Sequence, residues 1–347
     1  MERRAFIAAL AAALPATRRH AAAAAGAQDV GRILTVRGPV EPEALGITLV
    51  HEHVLVDFVG AGRVSATRYQ ADEVLDVALP HLVDLRERGC RTLFEATPAY
   101  LGRDPALLRR LSEGSGLQIV TNTGYYGAAD DKHVPAHAYG ETAFELAGRW
   151  TREFREGIDG TGIRPGFLKI GVDPGQLSEI DRKLVEAGAL CHLETGLTIA
   201  VHTGDGEAAL DILETLRRKG VAPSAYVWVH AQNEKDREIH DRAARAGAWV
   251  EFDGVGWGPQ GAHVEAVTDM AGRGHLERLL VSQDAGWYHV GEPGGGTYRP
   301  HTVLFDEFVP ALRAGGLSED DVDALLVENP ARAFAVGVRP LAHTAES

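Results

Sequence analysis

Cysteine is scarce: the 347-residue chain has two, Cys90 and Cys191. Neither belongs to a CxxC pair, which argues against a cysteine zinc site. Both lie in apolar stretches and read as buried free thiols rather than a disulfide. Beyond residue 30 no apolar run reaches the ~20 residues of a membrane span. No basic run resembles a nucleic-acid footprint. The 49 acidic residues outnumber the 35 basic ones, and the formal charge of −14 reads as solubility. No internal repeat or low-complexity domain follows the N-terminal segment.

That segment reads as an address. Arg3-Arg4-Ala5-Phe6-Ile7 resembles a twin-arginine export signal, an apolar stretch from Ala8 to Leu14 follows, and Ala25-Gly26-Ala27 offers a cleavage site. Arg18 and Arg19 lie between the two, where the twin-arginine route tolerates basic residues and the general route disfavours them. The expectation is a signal peptide over residues 1–27 and a periplasmic or secreted mature chain, 28–347, forming one domain. The alternative is an Ala/Arg-rich tail on a cytoplasmic protein.

From residue 47 short apolar runs alternate with longer amphipathic segments. The strand candidates are Ile47–His53, Arg91–Thr97, Gln118–Thr123, Phe167–Val172, Thr198–Thr203, Tyr226–Ala231, Trp249–Gly254 and Leu279–Asp284. Each is near-continuously apolar, as parallel strands covered on both faces are. Helices are expected over Ala71–Arg88, His137–Glu156, Ser178–Glu194, Glu207–Lys219, Glu234–Arg245, Ala262–Ala271, Thr302–Ala314 and Ser318–Val327. Repeated βα units imply a parallel sheet with right-handed crossovers, and eight of them most simply close into a (β/α)₈ barrel. An open doubly wound sheet would carry a glycine-rich phosphate loop after an early strand. The stretch from Gly291 to Gly296 follows the last strand instead and reads as a mobile loop over the barrel mouth.

In such a barrel the C-terminal strand ends carry the chemistry. The first strand ends His51-Glu52-His53, the fourth carries Lys169, the fifth ends at His202, the sixth at His230 and the eighth at Asp284. Residues two apart on a strand share a face, so His51 and His53 can grip one ion while Glu52 points away. Imidazole and carboxylate suit zinc and similar divalent metals. A lysine inside an apolar strand is costly as a cation. Burial lowers its pKa, and the neutral amine can take up CO₂ to become a carbamate able to bridge two metals. Each residue alone is more often a packed or capping residue; six of them at C-terminal strand ends are not.

The series resembles the phosphotriesterase-like family of the amidohydrolase superfamily over essentially the whole mature chain. The resemblance rests on Gly46 to His53, Thr121-Asn122-Thr123-Gly124-Tyr125-Tyr126, the Lys169 strand, His202-Thr203, His230, Val281-Ser282-Gln283-Asp284 and Asn329-Pro330-Ala331-Arg332. It implies two divalent metals. His51, His53 and Asp284 would hold the buried one and His202 and His230 the exposed one. N6-carboxylated Lys169 and a hydroxide would bridge them, with Asp284 accepting the hydroxide's proton. Two positions depart from the family's phosphotriesterases. Gly254 stands where a proton-relaying histidine aligns, and Asn233 where an acidic residue aligns.

Three functions are therefore open: hydrolysis of lactones or carboxylic esters, hydrolysis of aryl dialkyl phosphates, and ligand binding without turnover. The ester or lactone reading is preferred. Tyr125 or Tyr126 would orient a lactone ring oxygen, and Trp257, Trp287 and Tyr288 would wall an apolar pocket. Zinc is the expected metal, with cobalt, manganese and iron compatible. The partner is a small-molecule substrate, with no nucleic acid or membrane, and a homodimer is left open.

Overall fold

The computed structural model describes residues 29–342. The signal expectation for residues 1–27 lies outside them. Eight parallel strands form the frame: β1 (Thr48–Glu52), β2 (Thr92–Glu95), β3 (Gln118–Val120, resuming as Asn122–Thr123), β4 (Phe167–Gly171), β5 (Thr198–His202), β6 (Tyr226–Val229), β7 (Trp249–Phe252) and β8 (Leu279–Val281). They pair in chain order. The ring closes where Asp284 N donates to the His51 carbonyl (3.1 Å) and His53 N to that of Ala285 (2.8 Å).

The helices around the ring are α1 (Ala71–Glu87), α2 (Pro105–Ser115), α3 (Ala143–Glu156), α4 (Glu179–Thr195), α5 (Gly206–Arg218), α6 (Arg237–Ala246), α7 (Gln260–Gly272) and α8 (Val309–Ala314). The sequence reading had not placed α2. Its signals are local: the Asp104 side chain accepts from Leu107 N, Pro105 takes the first turn, and Gly116 closes it with φ 76°. The single helix expected from His137 to Glu156 is two. His137–Gly140 makes one turn, Glu141 is extended, and a Thr142–Glu145 capping box starts α3. The glycine-rich stretch forms a turn at Pro293–Gly295 packed against α1, with Gly295 under the Tyr288 ring.

Inside the ring Phe94, Phe167, Val227, Trp249 and Leu280 fill the lower barrel. Phe334 closes the floor, its ring 4.5 Å from Phe94 and 5.7 Å from Phe167. The alternate residues Leu93, Leu168, Trp228 and Val250 face the helices. The ionisable side chains of the barrel interior are thereby placed toward the C-terminal end of the strands. Cys90 and Cys191 are both free and buried. No helix among the described residues is long and apolar enough to cross a membrane.

Candidate metal centre

Strand alternation alone would not assemble this site. Val50 faces the barrel interior, so an unbroken β1 would turn His51 outward. One extra residue on β1, between its Leu49 and Glu52 pairings with β2, re-aims the strand. His51 and His53 then both point inward and Glu52 points away, as their spacing predicts. His230 has the parity of outward-facing Trp228; its backbone turns left-handed (φ 64°) immediately after β6. Asp284 is left-handed as well (φ 48°). Two strained ligand-type residues in one cluster are what a functional site stores and a packed core avoids.

These turns bring the expected side chains together. The His51 and His53 rings lie 5.3 Å apart, His51 and His230 4.9 Å, and His202 and His230 4.2 Å. His53 Nε2 is 3.1 Å and His51 Nε2 3.8 Å from Asp284 Oδ1. Lys169 is 2% exposed, and its Nζ makes no hydrogen bond. The buried Oδ1 of Asp284 likewise has no well-aligned donor. An orphaned amine and an orphaned carboxylate oxygen facing four imidazoles fit divalent cations.

The outer faces of the rings are held. His53 Nδ1 is 2.7 Å from Thr97 Oγ1. His230 Nδ1 is 2.6 Å from Asp253 Oδ1, and His51 Nδ1 is 2.9 Å from Glu251 and 3.1 Å from Asp253. Gln232 Nε2 donates to Asp253 (2.8 Å). Although His51, His230 and Asp253 lie close enough to share an ion, Asp253 sits on the Nδ1 side of both rings. It therefore orients them and leaves Nε2 for metal. The sequence reading gave Glu251 and Asp253 no role. Their i, i+2 spacing on a strand was the available signal, the same one that singled out His51 and His53.

Electrostatics follow burial. Desolvation pushes Lys169 below its ordinary range. It also lowers His202, helped by the His230 charge, and takes His51 down to about 3, helped by Lys169. Burial pushes Asp284 up, but His53, His51 and His230 outweigh it and hold the carboxyl at about 2. Burial and the neighbouring Asp253 raise Glu251. Neutral imidazoles and an ionised carboxylate are the forms that bind metal.

Tyr126 belongs to this site: its hydroxyl is 3.0 Å from His202 Nε2. Tyr125 does not. It turns to the opposite side, its hydroxyl 3.0 Å from His137 Nε2 and its ring perpendicular to Trp150 at 5.4 Å. Adjacent residues in extended backbone face opposite ways, and Tyr126 is the one bridged to Gly171 on β4. Of the expected pocket wall, Trp287 lies 4.1 Å from the His53 ring and stacks on Phe58, which the sequence reading had not considered. Trp257 covers Arg299 at the rim and donates to the Gln283 and Asp284 carbonyls. Tyr288 is no wall: it pairs with Leu55 and is buried. At Gly254 an added Cβ would lie 2.7 Å from His263 Nε2 and 2.8 Å from Gln232 Nε2, so that position has no room for a longer side chain without rearrangement.

Comparison with known proteins places this geometry. The family model described as the phosphotriesterase family matches residues 31–334. The chain belongs to the phosphotriesterase family. It is 31% identical to the phosphotriesterase homology protein of Escherichia coli K12, over 83% of this chain and 98% of that protein. It resembles the organophosphorus hydrolase of Deinococcus radiodurans with a TM-score of 0.79 and 29% identity, over 88% of this chain and 97% of that one. A mutant from the same organism, described as a PTE-like lactonase, gives 0.79 and 30%, over 87% and 99%. This phosphotriesterase-family chain is accordingly a metal-dependent hydrolase acting on ester bonds, built on a (β/α)₈ barrel.

Proposed function

We propose that the substrate is a lactone or carboxylic ester. The observation that carries this is Tyr126, whose hydroxyl stands against His202 at the open side of the centre. A phenol there donates a hydrogen bond to a ring or alkoxy oxygen as the C–O bond breaks. Beside it, Trp287, Phe58 and His289 form a stacked aromatic face, with Phe58 to His289 at 5.7 Å and Trp287 to His289 at 6.1 Å. That face suits an acyl chain or a flat ring.

His51, His53 and Asp284 would hold one divalent ion, His202 and His230 the other, and Lys169, as its carbamate, would bridge them. Zinc is the first choice of metal for this donor set. Bound, the ions supply a water of lowered pKa and polarise the substrate's carbonyl oxygen. Asp284, its carboxyl held ionised by the surrounding histidines, would be the residue that accepts a proton there. With Gly254 and Asn233 in place of a histidine and a carboxylate, Asp284 passes the proton to solvent or to the leaving group.

The test is kcat/KM for matched aryl carboxylic esters, γ- and δ-lactones and an aryl dialkyl phosphate. A lactone or ester should be turned over faster than the phosphate, and Tyr126→Phe should lower that rate by roughly 10- to 100-fold. A phosphate turned over at least as well as the best lactone would make the protein a phosphotriesterase, the reading favoured by its likeness to the Deinococcus organophosphorus hydrolase. Export is proposed on the Arg3-Arg4 signal: changing both to Lys should leave the precursor in the cytoplasm, and continued export would refute the route.

A further inference from the structure

Glu251 is an expensive residue for its place. It is 1% exposed, on an inward-facing strand position one step above Trp249, where the barrel otherwise packs Phe, Val and Leu. No lysine or arginine lies within salt-bridge distance among the described residues. Its Oε1 makes one hydrogen bond, 2.9 Å to His51 Nδ1. Asp253, two residues on, is supported quite differently. It accepts from His230 Nδ1 (2.6 Å), from His230 N (3.0 Å) and from Gln232 Nε2 (2.8 Å). The two carboxyls on β7 thus divide their work: Asp253 holds His230 and also reaches His51 Nδ1 (3.1 Å), whereas Glu251 reaches only one of the two rings, His51.

We propose that Glu251 is a positioning residue for one of the two ions, fixing His51 through Nδ1 so that Nε2 faces the position shared with His53 and Asp284. This rests on the reading of the centre as a two-metal site. An imidazole donating Nδ1–H to a carboxylate is locked in tautomer and ring angle and is a stronger base at Nε2. Because Asp253 serves both rings and Glu251 only one, removing Glu251 weakens a single ion, whereas removing Asp253 weakens both. A buried carboxyl kept for this purpose is a cost to the empty barrel, which an apolar side chain of similar volume relieves.

The experiment uses metal-free protein titrated with Zn²⁺ against a competing chelator, without substrate. Ions per chain and thermal midpoints are measured alongside. Glu251→Leu should bind one Zn²⁺ like the wild type and the other roughly 10- to 100-fold more weakly. Its metal-free Tm should equal or exceed the wild type's, which a merely structural role would lower. Glu251→Gln keeps an acceptor for His51 and should recover affinity to within about threefold. Asp253→Asn should weaken both ions. Wild-type affinities in Glu251→Leu, equal loss in Glu251→Gln and Glu251→Leu, or a lowered metal-free Tm would each overturn the proposal. A wild-type chain that binds fewer than two ions would overturn both it and the two-metal reading. Failure to hydrolyse lactones would touch only the choice of substrate.

Discussion

At the scale of single residues the centre is a problem of unpaired groups. Lys169 Nζ has no hydrogen-bond partner inside a barrel that contains Glu251, Asp253 and Asp284, and burial weakens its hold on a proton. A bare ammonium there would repel two cations; a carbamate would bind them. Lys169→Ala should therefore lose most bound metal and activity, and short carboxylic acids should restore part of both. Elemental analysis with and without added acetate or propionate checks this, and a variant that keeps full metal without them would remove Lys169 from the bridge. Gly286 shows how little slack surrounds the ligands. A Cβ there would lie 1.7 Å from the His53 carbonyl oxygen, at a φ of 100° that favours glycine.

At the scale of elements, contacts between neighbours hold the ring. His192 near the end of α4 has its Nδ1 2.8 Å from the Leu197 carbonyl, and its Nε2 accepts from Arg339 N at 2.9 Å. Nδ1 must therefore carry the proton and Nε2 must stay bare. Burial, with the Arg339 charge adding to it, lowers this histidine from 6.5 to about 4. Its unfolded form binds a proton that the folded form refuses, so its contribution is complete above pH 6.5 and is lost as pH falls toward 4. The midpoint of thermal unfolding should drop across that window, and His192→Gln should flatten the drop. An unchanged slope in the variant would assign acid sensitivity elsewhere.

At the scale of the molecule, the barrel holds four imidazoles, a lysine and several carboxyls in one desolvated layer. Metal binding to the folded form alone adds RT ln(1 + [L]/Kd) to stability, about 4 kcal/mol at a thousandfold excess over Kd. Chelation should lower Tm by several degrees, and Zn²⁺ should restore it. Equal Tm values with and without chelator would mean that no ion is held by the folded state.

Much of this was legible in the chain. The near-continuous apolar strands, the periodic helices and the order of His51, His53, Lys169, His202, His230 and Asp284 needed only strand and helix periodicity and the chemistry of ligands. α2 is legible too, in its Asp104 cap, Pro105 and Gly116. What alternation could not supply was the direction of particular side chains. His51 faces inward because of an extra residue on β1, and His230 because of a left-handed turn after β6. Tyr126 rather than Tyr125 reaches the centre because one of two adjacent tyrosines must turn away. Phe58 and Trp287 meet only when the segments after β1 and β8 come together where the ring closes. Sequence thus determined the barrel and the polar residues at its C-terminal strand ends, which depend on local pattern and residue type. The orienting carboxyls and the shape of the mouth were decided by tertiary structure, because they depend on contacts between strands about 200 residues apart.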